Sequence, residues 1–369
     1  MLLTLLCIVG LLVLFYYLFV SFYPTFGGDI SEEKKIAYSK SDNYVDGIFV
    51  NKKDVPKDLS FAETLSLTRK FFFTKVPNGS PSKNIEVKKI DSINIANHKT
   101  NTRLIWFGHS TFLLQIKDKN ILIDPMFGKV AAPHNLLGAN RFNKEMPIEV
   151  EKLPTIDAVL LSHDHYDHLD YSSIKKLKSK VELFYTPLGV GTHLEAWGIE
   201  KERIIELDWW DVRVFKGLEF VCTPAQHFSG RKFNNRQSTL WASWVIKSDT
   251  ESLFFSGDSG YASHFKEIGE THGPFDFAML ECGQYNKMWA DIHMFPEETA
   301  QAGIDLRAKL VMPIHWGAFK LALHDWTDPV TRFTVKAEAL QLNYITPKIG
   351  EEILLGEQKI SSKSWWEGY

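Results

Sequence analysis

Four side chains able to bind a metal fall within the six residues His163-Asp164-His165-Tyr166-Asp167-His168, directly after the apolar run Ala158-Val159-Leu160-Leu161-Ser162. In an extended backbone, residues two apart point the same way, so His163 and His165 converge on one cation. Once the chain turns, Asp167 and His168 face a second. Imidazoles and a carboxylate suit zinc, and the same donors serve iron or manganese. A chance cluster of solvated histidines is the competing reading, but the buried strand just before it argues for a positioned site.

Two cations need further donors, and other strand ends carry them. His227 follows Val221-Cys222-Thr223-Pro224-Ala225-Gln226, Asp258 follows Leu253-Phe254-Phe255-Ser256-Gly257, and His315 follows Leu310-Val311-Met312-Pro313-Ile314. Singly, each is equally well a core histidine or a turn aspartate. As a set beside a cluster that needs partners, they are donors delivered by a rigid scaffold. Water held between two such cations loses a proton near neutral pH, so the chemistry is hydrolysis.

The elements that must position these residues can be read from the pattern of apolar runs. Strands are expected at Leu104–Phe107, Thr111–Ile116, Ile121–Ile123, Ala158–Ser162, Glu182–Thr186, Leu218–Thr223, Thr239–Ile246, Ser252–Ser256, Phe277–Glu281 and Leu310–Ile314. Helices are expected at Tyr171–Ser179, Val190–Trp197, Tyr261–Ile268, Glu297–Arg307 and Val330–Leu340, with another at Phe61–Lys75 bearing Phe61, Phe71, Phe72 and Phe73. Hairpins come first and strands alternating with helices follow, which predicts an α/β fold of two sheets covered by helices.

The 369 residues, 44% of them hydrophobic, suffice for a large core, and the net charge of −3 leaves no electrostatic footprint for nucleic acid. Cys7, Cys222 and Cys282 are far apart, which argues against a disulfide framework and a cysteine zinc site. The N-terminus departs from this average. Met1 to Gly28 contains no charged side chain, and Leu2–Tyr23 is almost continuously apolar. A helix of about 20 such residues spans a bilayer. A cleaved signal peptide is the rival, but no Lys or Arg precedes the run and no clear cleavage site follows it. The expected organisation is a membrane anchor (1–28), a linker and arm (29–100), and one catalytic domain (101–369). Asp29, Glu32, Glu33, Lys34 and Lys35 mix signs and do not specify a membrane side.

His163-x-His165-x-Asp167-His168, followed by His227, Asp258 and His315, resembles the metallo-β-lactamase superfamily over roughly Leu104 to Leu355. Trp106-Phe107-Gly108-His109-Ser110-Thr111, Thr223-Pro224-Ala225-Gln226-His227, Leu240-Trp241-Ala242-Ser243-Trp244 and Ile314-His315-Trp316-Gly317 are similar to N-acyl-phosphatidylethanolamine-hydrolysing phospholipase D and its bacterial relatives. The resemblance implies a four-layer αβ/βα sandwich and two zinc ions. His163, His165 and His227 would hold one, Asp167, His168 and His315 the other, and Asp258 would bridge them. It also implies a substrate-phosphate contact from His293. Leu280-Glu281-Cys282-Gly283-Gln284-Tyr285-Asn286 departs from the animal enzyme.

Among supporting residues, Arg231 is read as a bidentate phosphate contact or a solvated loop arginine. Asp124 is read as orienting a metal-bound histidine or forming an Asp-Pro turn. His109 is expected to hydrogen-bond without ligating, and His98, His134, His193, His264, His272 and His324 to be ordinary. The function expected is a membrane-anchored phosphodiesterase acting on phospholipid at the bilayer. A lactonase on the same scaffold and a non-catalytic membrane-tethered metal-binding protein are the alternatives.

Overall fold

The computed structural model describes residues 2–53, 65–66, 69–70, 73–356 and 364–369. Phe61, Phe71 and Phe72 of the expected aromatic helix lie outside them. A helix at Leu2–Phe22 has no buried residue, and a 3₁₀ turn at Pro24–Phe26 follows it. A short arm then carries a helix at Glu32–Tyr38 and the ribbon of β1 (Tyr44–Val45) and β2 (Ile48–Phe49).

Most strands of the main body are apolar on both faces, the edge strands excepted. β3 (Arg103–Trp106), β4 (Phe112–Ile116) and β5 (Lys119–Ile123) form an antiparallel meander. β6 (Ile156–Leu160), β7 (Val181–Pro187) and β8 (Ile204–Leu207) extend it in parallel. In the second sheet, β9 (Val212–Phe215), β10 (Leu218–Thr223), β11 (Ser243–Lys247) and β12 (Ser252–Phe255) are antiparallel neighbours. β13 (Phe277–Glu281) and β14 (Val311–Ile314) add in parallel to β12. β15 (Glu352–Leu354) returns to pair with β3 at the edge of the first sheet.

Side chains alternate across each strand, so each sheet feeds two cores. Phe112, Leu114 and Ile116 of β4 point between the sheets, where they join Phe220 and Cys222 of β10. Leu113 points outward to a layer holding Ile174, Leu177 and Leu194 from the helices Tyr171–Leu177 and Gly191–Ala196. Val221 of β10 likewise points outward, toward Phe265, Ala300 and Phe333 from His264–His272, Pro296–Asp305 and Asp328–Ala339. The result is the expected helix–sheet–sheet–helix stack, with a central core that both sheets share.

Each expected strand forms, but β11 begins at Ser243 and not at Thr239. Leu240-Trp241-Ala242 instead runs against the histidine-rich segment, with Ala242 N donating to Ser162 O at 2.9 Å. β8, β9 and β15 were not expected.

From residue 29 onward the described residues pack against the body. Lys34 pairs with Glu195 at 2.7 Å, Tyr38 OH donates to Glu206 at 2.7 Å, and Asn43 Nδ2 donates to Asp208 at 2.8 Å. The polar side chains of this arm are occupied by partners on the body. Asn51 closes the arm onto the second sheet. Its Nδ2 donates to His227 O at 2.8 Å, and its Oδ1 accepts from His227 N and from Trp241 Nε1, both at 3.0 Å.

Asn51→Ala removes a donor and an acceptor from groups that are buried or nearly so. Urea unfolding should show a loss of about 1–3 kcal/mol. Unchanged stability would show that the arm docks without this amide.

Candidate metal centre

The donors gather where the strands of both sheets end. His163, His165, Asp167 and His168 follow β6, His227 follows β10, Asp258 follows β12, and His315 directly follows β14. Two groups result. The donor atoms of His163, His165, His227 and Asp258 lie within 4.8 Å of one another, as do those of His109, Asp167, His168 and His315. Asp258 stands between the groups. Its Oδ2 lies 3.7 Å from His163 Nε2 and 3.8 Å from His227 Nε2, while its Oδ1 lies 3.1 Å from His168 Nε2 and 3.0 Å from His315 Nδ1. The structure thus brings all seven sequence-proposed donors together.

The donor set fits cations. His165 Nδ1 lies 2.9 Å from His163 Nε2 and 3.2 Å from His227 Nε2, an arrangement of ring nitrogens that a cation with bonds of about 2 Å would satisfy. His168 Nε2 and Asp258 Oδ1 are buried without a hydrogen-bond partner, a costly state for polar atoms unless something else binds them. Burial alone would raise the pKa of Asp258 and of Asp167. Neighbouring imidazoles, His168 foremost, instead hold both carboxyls well below the usual range and keep them anionic.

Groups behind the donors fix the rings. Asp124 Oδ2 accepts from His168 Nδ1 at 2.7 Å, which leaves Nε2 directed at the site. Asp124 is held in turn by Ser162 N at 2.7 Å and Ser162 Oγ at 2.6 Å. His227 Nδ1 donates to Ile292 O at 2.9 Å, again leaving Nε2 for the site. His109 Nε2 lies 2.8 Å from Asp167 Oδ2. Burial, helped by His315, pushes its pKa down to about 3, so the neutral ring donates one N–H to that carboxylate. This geometry accords with hydrogen bonding by His109, although the ring belongs to the second donor group.

The backbone is bent to suit. His109, Asp124 and His315 have φ of 55°, 38° and 64°, a region non-glycine residues seldom occupy outside constrained sites. Gly260 lets the loop bearing His293 approach, since a Cβ there would lie 1.9 Å from Asp291 O.

His293 stands beside the donors, with ring centroids 5.0 Å from His227 and 5.4 Å from His315. Its Nδ1 is 2.8 Å from Oε1 of Glu281, a fully buried carboxyl that also accepts from Ser259 N at 2.7 Å. Burial, reinforced by the Asp258 charge, pushes the Glu281 pKa well up. Glu281 was missed as a site residue, although a carboxyl at the end of an apolar strand is the signal that identified Asp258.

Arg231 is a correction. Its guanidinium is buried, with Nη1 donating to the carbonyls of Asp164 and Leu169, and Nε and Nη2 to that of Thr25 at 2.9 and 2.6 Å. The ring of Tyr166 lies 4.1 Å beneath it. These carbonyls engage all three guanidinium nitrogens, so Arg231 is neither a phosphate fork nor a solvated loop residue. It ties the Thr25 turn to the histidine-rich loop. His193 and His264 are both buried, and His193 Nε2 lies 3.3 Å from Asp164 Oδ2.

This fold and donor set define a metal-dependent hydrolase. Residues 119–316 match the Beta-lactamase superfamily domain, and the chain belongs to the metallo-β-lactamase superfamily. It is 38% identical to the uncharacterized protein Rv0906 of Mycobacterium tuberculosis over 89% of this chain and 88% of that one. It is 31% identical to N-acyl-phosphatidylethanolamine-hydrolyzing phospholipase D 1 of Caenorhabditis elegans, over 60% of this chain and 65% of that one. In fold it is similar to Igni18, a metallo hydrolase of Ignicoccus hospitalis, with a TM-score of 0.52 and 22% identity over 70% of this chain and all of that one.

The purified chain should carry about two transition-metal ions, because two donor groups share Asp258. Elemental analysis of Asp258→Asn should show at least one ion lost. Full retention would take Asp258 out of the shared position.

Proposed function

We propose that the chain is a membrane-anchored phosphodiesterase of the phospholipase D type, cleaving N-acyl-phosphatidylethanolamine-type lipids to phosphatidic acid and an N-acylethanolamine. The observation that carries this reading is the paired donor set with His293 at its border, in a chain 31% identical to an enzyme of that name. The complete donor set argues against a non-catalytic metal-binding protein.

Two zinc ions, with iron or manganese served by the same donors, would offset charge on phosphoryl oxygens and make water more acidic. The chain's own residues supply the geometry. Asp258 links the two groups, Asp124 and Ile292 O set the tautomers of His168 and His227, and His109 orients Asp167. Glu281 holds one edge of the His293 ring and so fixes its direction. His293 is the proposed contact for a substrate phosphate.

Leu2–Phe22 supports the anchor. It is long and apolar enough to cross a membrane, and none of it is buried in the body, unlike the core helix of a soluble protein. The residues just after it belong to the fold. Phe26 is buried, and Trp197 Nε1 donates to Pro24 O at 2.7 Å.

N-acyl-phosphatidylethanolamine, phosphatidylcholine and a lactone panel should be assayed with the metal-loaded chain. Release of phosphatidic acid from the first, at rates well above any lactone opening, is the expected result. Faster turnover of lactones would replace the phospholipase reading with a lactonase. His293→Ala should cut phosphodiester turnover by roughly 10²-fold or more while the metal content stays constant. Loss of metal would instead make His293 a ligand.

A further inference from the structure

Two loops from distant parts of the chain meet the C-terminal end of the apolar helix. From one, the ring of Phe233 lies 6.1 Å from that of Tyr16. From the other, His134 lies 5.7 Å from Tyr23, and the adjoining turn carries Leu136 and Leu137. Phe233, Leu136 and Leu137 are 93%, 87% and 60% exposed. These are large apolar side chains held in water, in a body that buries most of its own.

Their placement is built and not incidental. Thr25 Oγ1 donates to Pro133 O at 2.8 Å, which joins the His134 loop to the turn after the helix. Asn235 Oδ1 accepts from the backbone N–H groups of Arg231 and Lys232 at 3.0 and 2.7 Å, which shapes the loop that presents Phe233. Lys232 Nζ pairs with Asp29 at 2.6 Å, placing a charged pair beside the apolar tip. Tyr16 is six residues before the last residue of the helix, so Phe233 meets the helix about 9 Å short of its end. A bilayer that accommodates the helix therefore reaches this loop as well.

We infer that Leu136, Leu137 and Phe233 form a rim that dips into the acyl surface of a phospholipid bilayer beside the anchor helix. The inference rests on the membrane reading of Leu2–Phe22 and goes further. The occupant is a lipid surface because the patch adjoins a helix whose side chains are all unburied, and because the Lys232–Asp29 pair borders it. The rim also places the substrate. The Phe233 loop begins at the metal centre, where the Phe228 ring lies 4.5 Å from that of His165. Phe233 lies five positions after Phe228, at most about 18 Å of chain. A headgroup phosphate at the donors is thus within about one loop-length of acyl chains held at the rim.

The test uses the full-length chain in phosphatidylcholine vesicles. A fluorophore is attached at Phe233→Cys in a Cys7→Ser background, since Cys222 and Cys282 are buried. Lipids brominated in their acyl chains should quench this label strongly, and iodide on both sides of the membrane should quench it several-fold less than in the denatured protein. Free quenching by iodide with none from brominated chains would overturn the rim. A second measurement uses the Leu136→Ser, Leu137→Ser, Phe233→Ser variant, whose exposed sites leave folding intact. Hydrolysis of N-acyl-phosphatidylethanolamine in vesicles should fall at least fivefold, with a water-soluble phosphodiester cleaved as before. Equal loss on both substrates, or none on vesicles, contradicts the rim. The depth measurement needs no turnover, so a failed phospholipase assay leaves it decisive.

Discussion

Five imidazoles and two carboxylates converge at the ends of two sheets, and the burial of most of them is the constraint on which the rest of the structure depends. Removing a charge from water costs several kcal/mol unless partners offset it. Around His163, His168, His227 and Asp258 there is almost no water left to do so. The surrounding structure is arranged accordingly. Outward ring nitrogens have fixed neighbours, as Asp124 for His168 and Ile292 O for His227. The inward nitrogens and Asp258 Oδ1 are left for a cation. The strained backbone at His109, Asp124 and His315 is tolerated because the two-sheet core holds the strand ends in place.

This division between strand and tip made the centre legible in the sequence. A histidine or aspartate just beyond an apolar run is unusual enough to be noticed, and the runs at Ala158–Ser162, Leu253–Ser256 and Leu310–Ile314 each deliver one or more. The missed strands lack such contrast. β9 is an edge strand with Val212, Arg213 and Val214 exposed, and β15 is a three-residue edge, so neither needs a two-sided apolar pattern. β8 is also an edge, its residues mostly half-buried. Leu240-Trp241-Ala242 misled in the opposite sense. Its apolar character comes from packing against the histidine-rich segment, not from a place in the sheet.

The docking of the arm and the role of Arg231 were not legible for another reason. Composition reports that a segment is polar but not where its polar groups are satisfied. Lys34, Tyr38, Asn43 and Asn51 find partners more than 150 residues away, at Glu195, Glu206, Asp208 and His227. Such pairings leave no local pattern. Arg231 is the sharpest case. Its position just after His227 invites a role toward substrate, whereas its fork is filled by three carbonyls on two segments. Glu281 was missed differently: its stretch was read only as a departure from relatives, although the strand-end pattern marked it.

The packing of the arm also changes what an N-terminal anchor would do. A flexible tether raises the local concentration of a membrane substrate but leaves the orientation of the enzyme free. Here the residues after the helix are fastened before any free linker begins. Pro24 O accepts from Trp197, Thr25 O from Arg231, and Phe26 lies against Tyr166 with ring centroids 6.5 Å apart. Tyr166 is itself part of the segment His163–His168. Further along, Asn51 grips the backbone of His227 on the opposite side of the centre. The segment leaving the helix thus touches two of the three loops that supply the first donor group. Tilting the helix against the body would have to break a buried guanidinium from its carbonyls, where an unpaired charge is costly. The helix and the donors are therefore oriented by the same contacts, and the membrane would set the attitude of the metal centre as well as its distance.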